Sequence, residues 1–147
     1  MSGLDVPTLA YLAAVIDTRG IIRTRAVAGG ELPMVAVHDG NEPMLRLLGE
    51  LTGTKVTIVR RAYSKAGCAQ HCKEKHQHVQ SVSGRWSVCG AKATVLLHNL
   101  RPYLRFQQGQ AADAIAVGTA APFKPATVDK MRALGWDVPD FGQESAA

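Results

Sequence analysis

Five side chains that bind soft metals fall in one short segment: Cys68, His71, Cys72, His76 and His78. They take two of the chain's three cysteines and three of its five histidines. Thiolate and imidazole are zinc ligands. Cys68, Cys72 and His76 are four residues apart, so on a helix they line one face, and His78 completes a tetrahedron of two sulfurs and two nitrogens. His71 replaces His78 if the segment is irregular. Such a closed site is structural: it holds together an insert at 65–80 that is too short to build its own core. Three cysteines cannot form a full set of intrachain disulfides, and two of them among histidines suit a metal site in a reducing compartment. The same residues would also serve as an exposed polar loop with two reduced thiols, and Lys73 and Lys75 fit either a loop laid on phosphates or plain solubility.

The second group is cationic. Side chains alternate along a strand with period two, so Arg23 and Arg25 share one face, as do Lys55, Thr57 and Arg61. A sheet that presents Arg and Lys can lie against phosphates and base edges in a DNA groove, although antiparallel sheets also carry charge on a face that only meets water. Lys and Arg total 17 against 12 Asp and Glu, for a net charge of +5. That balance favours an anionic partner over an acidic small substrate. No apolar run reaches the roughly 20 residues of a membrane span, and the N-terminus lacks a signal-peptide layout, which points to a cytoplasmic protein and no membrane partner. No nucleotide-binding glycine loop or Ser/His/Asp arrangement stands out.

These residues need elements to position them. Leu9, Leu12, Ala13 and Ile16 follow the spacing of one buried helical face, opened by Pro7 and stopped by Gly20. Ile21 to Ala28 and Leu32 to His38 read as a hairpin about Gly29-Gly30. A helix over Glu42 to Leu51, with Met44, Leu47, Leu48 and Leu51 inward, ends at Gly53. Lys55 to Tyr63 and Ser81 to Val88 are a further strand pair flanking the polar insert, with Trp86 and Cys89 expected in the core. Ala91 to Leu104 is helical, Pro102 kinks it, and Gln107 to Val117 continues as another helix. Pro122 and Pro125 mark a linker, so residues 1–121 form the main domain. Residues 122–147 then hold a linker, an appended short helix over Thr127 to Leu134, and a tail. The order αββαββα implies an α+β fold: an antiparallel sheet with helices on one face, plus a C-terminal helical extension.

Leu12-Ala13-Ala14-Val15-Ile16-Asp17-Thr18-Arg19-Gly20 resembles the motif of the LAGLIDADG homing endonucleases, and a hairpin follows it at once. A second stretch, Leu100 to Ala111, is similar to the family's helix that ends near a Pro-aromatic-Leu, and together they bracket the family's element order. The resemblance implies a saddle-shaped sheet that grips DNA. It also implies a homodimer, because a single motif copy needs a partner's motif helix beside it, with Ala13 and Ala14 small enough for close packing. Two-fold symmetry then favours a palindromic or pseudo-palindromic site.

In the family's active members the acid just before the motif's final Gly holds the divalent metal. Here that residue is Arg19, and a guanidinium cannot ligate a hard cation. Where relatives often carry a Lys near the scissile phosphate, the matching residue is Gln107. Asp17 remains, at a position that usually caps or braces the helix end. The expectation is therefore sequence-specific double-stranded DNA binding by a homodimer without cleavage, regulatory in purpose. Arg19, Arg23, Arg25, Lys55 and Arg61 are the expected contacts, zinc is structural at Cys68, Cys72, His76 and His78, and no catalytic magnesium is expected. Two rivals stand beside it: an active nuclease that draws its metal from Asp17 or Glu42, and a zinc-stabilised protein-interaction module.

Overall fold

The computed structural model of the chain describes residues 3–62, 79–120 and 123–140. Helix α1 spans Val6–Arg19, and Asp5 caps it by accepting from the Thr8 N–H at 2.9 Å. Strands β1 (Gly20–Val27) and β2 (Gly30–Asp39) follow as a hairpin. Gly29 and Gly30 turn it with φ of 90° and 150°, a region side chains disfavour. Helix α2 (Glu42–Thr52) starts at Asn41, whose side chain accepts from the Met44 N–H, and stops at Gly53 in the left-handed conformation. Strands β3 (Thr57–Ala62) and β4 (Val79–Cys89) come next, then α3 (Ala91–Leu100), a 3-10 turn at Arg101–Tyr103, α4 (Gln108–Gly118) and α5 (Pro125–Ala133).

The four strands pair antiparallel in the order β1-β2-β4-β3. Ile22, Val35, Val37, Trp86 and Val88 point to the helix side and join Leu12 and Ile16 of α1, Leu45 and Leu48 of α2, and Leu97 and Leu100 of α3 in one core. Trp86 is fully buried, as expected, and its indole N–H donates to the Thr52 hydroxyl at 3.0 Å. That hydroxyl in turn donates to the Leu48 carbonyl, so the buried pair leaves no polar atom without a partner. Among the described residues no helix is long and apolar enough to cross a membrane.

Several details differ from expectation. The inward face of α2 is Leu45, Leu48, Gly49 and Thr52, and Leu47 is exposed. A Cβ at Gly49 would lie 2.7 Å from the Thr54 carbonyl oxygen, so close approach of the following chain sets the rotation of this helix. Cys89 is exposed, because Trp86 and Val88 take the inward parity of β4. The long helix expected to Leu104 stops at Leu100, where the 3-10 turn containing Pro102 begins. The C-terminal segment is more than an appendage. Met131 and Trp136 are buried in the common core, and the Trp136 indole N–H donates to the Leu51 carbonyl at 2.7 Å. Lys92 and Lys130 both donate to the Gly53 carbonyl at the end of α2, where positive charge offsets the helix dipole.

Candidate nucleic-acid interface

The sheet's other face follows from register. Arg23 pairs with Met34 and Arg25 with Leu32 across β1 and β2. His38 pairs with Arg85, and Arg85 with Thr57, so these three cross β2, β4 and β3 in one row. Val59 lies opposite Ser83 and Arg61 opposite Ser81. All of these alternate with core residues and therefore face outward. Arg23, Arg25, Arg61 and Arg85 are exposed, and none is in an ion pair among the described residues. Among the described residues no carboxylate stands at an outward strand position, but Asp39, at the end of β2 and paired with Arg19, reaches this side. Ser81, Ser83, Ser87 and Thr57 stand at outward positions of the same face, and a concavity lined by His38, Asp39, Thr57, Val59, Ser83 and Arg85 opens on β4.

Arg85 and His38 were not anticipated as part of this surface. The signal was present: from Ser81 to Ser87 every second residue is polar, out of phase with the buried Trp86. Lys55, by contrast, was expected on the face and is not in the sheet. It lies in the connection before β3, exposed beside the end of α2. The Thr54 N–H donates to the Gly49 carbonyl at 2.9 Å and holds this connection to the helix until Thr57.

The end of the motif is a knot of hydrogen bonds. Gly20 must be small there, since a Cβ would come within 2.9 Å of the Ile16 carbonyl oxygen. Asp17 reaches across to the segment before α4 and accepts from the backbone N–H groups of Arg105, Phe106 and Gln107 at 2.5, 3.3 and 3.1 Å. Gln107 closes the other side: its amide donates to the carbonyls of Ile16 and Gly20, and its oxygen accepts from the Ile22 N–H. Its polar head is thus consumed in joining α1, β1 and α4.

Arg19 is exposed and donates to Asp39 at 2.6 Å. The Asn41 N–H and the Arg19 guanidinium hold the Asp39 carboxyl below the usual carboxylate range. Glu42, likewise lowered, is shared by Arg46 at 2.7 Å and Arg60. Cys68, His71, Cys72, His76 and His78 lie outside the described residues, as does Tyr63. Among the described residues no group of three or more Cys, His, Asp and Glu side chains is placed to hold a metal ion.

The outward side of α1 carries Pro7, Ala10, Tyr11, Ala14 and Thr18, all exposed. Ala14 is therefore free for helix packing, whereas Ala13 is fully buried in the chain's own core. Phe106 is 77% exposed, and its backbone is fixed to this end of α1 through Asp17.

No protein-family model matches the sequence, and no curated protein matches it. Solved structures do. The homing endonuclease I-CvuI, in complex with the I-CreI target in the presence of magnesium with the DNA not cleaved, superposes with a TM-score of 0.54 at 16% identity, covering 88% of this chain and 78% of that one. A structure of I-CvuI in complex with its own target in the presence of calcium gives 0.48 at 16% identity, over 90% and 97% of the two chains. The first of these likenesses gives the fold: a four-stranded antiparallel sheet backed by helices, of the LAGLIDADG homing-endonuclease type.

Proposed function

We propose that the chain binds double-stranded DNA sequence-specifically through the outer sheet face, as a homodimer, without cutting it, and that its role is regulatory. The observation that carries this reading is the face itself: Arg23, Arg25, Arg61 and Arg85, none in an ion pair among the described residues, with interspersed hydroxyls. Such a surface matches phosphate oxygens and base edges. I-CvuI, which shares the fold, is in complex with a DNA target in its structure. The stripe of Ala10, Tyr11, Ala14 and Thr18 supports pairing of two α1 helices, because small side chains let backbones approach closely and Tyr11 supplies apolar area.

The carboxylates around the motif's end support binding without cleavage. Asp17 is taken up by three backbone N–H groups, Asp39 by Arg19 and Asn41, and Glu42 by Arg46 and Arg60. A metal ion at Asp17 or Glu42 would compete with these donors for the same carboxylate oxygens. Arg19 adds a cation where metal-dependent hydrolysis needs an acid, and its unused N–H groups suit a phosphate near the dyad.

The test is selection from random double-stranded DNA at physiological salt with magnesium present. An intact palindromic site is the expected product. Cut sites would establish the nuclease instead, and no enrichment, together with no salt-dependent DNA affinity, would leave the interaction module. The zinc reading of Cys68, Cys72, His76 and His78 rests on their spacing. It expects one zinc per chain in metal analysis of the purified protein, lost in Cys68→Ser/Cys72→Ser.

A further inference from the structure

The helix layer carries a pair of amines that the DNA-binding reading leaves unused. Lys92 of α3 and Lys130 of α5 donate to one acceptor, the Gly53 carbonyl at the end of α2, at 3.4 and 3.1 Å. Gly53 lets the Lys130 chain lie across the helix end, since a Cβ there would stand 2.9 Å from its Cε. Neither amine is in an ion pair among the described residues. One cation is enough to offset the end of a helix dipole, and a second on the same oxygen meets like charge at close range. The cost falls on Lys92, which is half-buried where Lys130 is exposed. Burial first, and then the charge of Lys130, hold the Lys92 ammonium below the usual lysine range. A lysine made neutral by enclosure and a neighbouring cation is a nucleophile.

Lys92 can also be reached. It lines a cavity of about 580 Å³ where β2, the start of α3 and the end of α4 meet, together with Leu32, Pro33, Val117, Phe123 and Lys124. The other ionisable groups on the wall are Glu31 of β2 and Cys89 of β4. Lys124 on the wall and Lys130 beside Lys92 outnumber Glu31, so the surroundings of the amine favour an anionic reagent. We propose that Lys92 is an acylation site whose donor is an acyl phosphate, with Lys92 as the nucleophile and the ammonium groups of Lys130 and Lys124 attracting the donor's phosphate. The Lys92 nitrogen attacks the acyl carbon. The carbon–oxygen bond to phosphate breaks, its electron pair leaves on the phosphate, and a proton passes from the nitrogen to water. An amide and inorganic phosphate result, and the chain loses one positive charge. Lys130 remains on the Gly53 carbonyl, so the end of α2 keeps a cation after the modification. The inference stands apart from the DNA-binding reading.

The experiment treats the purified full chain with acetyl phosphate near neutral pH, stops at low conversion and follows each lysine by mass spectrometry. Lys92 is expected to be acetylated severalfold faster than Lys55 and Lys124. Its rate should rise with pH and level off below the pH at which an ordinary lysine does, because its neutral form is populated earlier. Lys130→Gln removes the neighbouring cation and should bring Lys92 down toward the other lysines, whereas Lys130→Arg keeps the cation and should keep most of the rate. That contrast separates the charge at position 130 from simple accessibility of Lys92. Acetic anhydride, a neutral donor, should prefer Lys92 less strongly than acetyl phosphate does. Equal preference with both donors overturns the assignment of an acyl phosphate, and Lys92 reacting no faster than Lys55 and Lys124 overturns the inference as a whole. The comparison among lysines uses the unaltered chain, so it does not depend on how any variant folds.

Discussion

Asp17→Ala is expected to lower the stability of the fold by about 3 kcal/mol, seen as a lower urea midpoint at unchanged slope. Three backbone N–H groups lose their acceptor at once. They stand in the segment that leads into α4, whose own N-cap residue, Gln107, makes no side-chain cap bond. Asp17 therefore acts as a brace that fixes this segment to the end of α1 through charge-assisted hydrogen bonds. Asp17→Asn keeps one acceptor oxygen and loses the charge, so it should cost about 1 kcal/mol. This order, Ala worse than Asn and both worse than the parent, follows from bracing. A residue kept to hold a metal would behave differently, because removing a carboxylate from an unoccupied metal site relieves repulsion and leaves stability unchanged or improved. An unchanged midpoint in Asp17→Ala would remove the structural role and return Asp17 to the candidates for chemistry.

The position of Asp17 shows where sequence reading reaches and where it stops. The element order was legible because period and punctuation agree: Pro7 and Gly20 bound α1, Gly29-Gly30 turn the hairpin, and Gly53 ends α2. Trp86 in the core was legible from its type. The partners of Asp17 and Gln107 lie some 85 to 91 positions away in the chain, and no local pattern encodes them. Gln107 illustrates the difference most sharply. Its sequence position suggested a lost phosphate contact, whereas the fold uses its amide nitrogen and its oxygen to tie α1 to β1 and α4. Arg19 was legible as a cation, but its pairing with Asp39 depends on β2 returning beside α1. The rotation of α2 and the docking of Trp136 were missed for a shared reason. Both are set by single close approaches, at Gly49 and at the Leu51 carbonyl, which hydrophobic periodicity averages away.

The double variant Arg23→Ala/Arg25→Ala should lose on the order of a hundredfold or more in affinity for the selected site, since each base-reading arginine is worth about 1 to 3 kcal/mol. Its fold should be unaffected, because both side chains are exposed and form no ion pair among the described residues. The two neighbours share one groove, so their effects need not add. Measuring the singles beside the double separates the roles of each side chain. If an arginine reads a base, its loss relaxes preference at one position and leaves the salt dependence nearly as it was. If it holds a phosphate, its loss weakens all sequences alike and reduces the salt slope by about one. Arg46→Ala is the matched control for each single variant: it removes one charge from the helix layer, where Arg46 pairs with Glu42, and should leave site affinity within about twofold on the argument that screened charges away from the contact count little. Were Arg46→Ala to weaken binding as much as Arg23→Ala or Arg25→Ala does alone, the net charge of +5 would be attracting DNA without the outer sheet face being the surface that reads it.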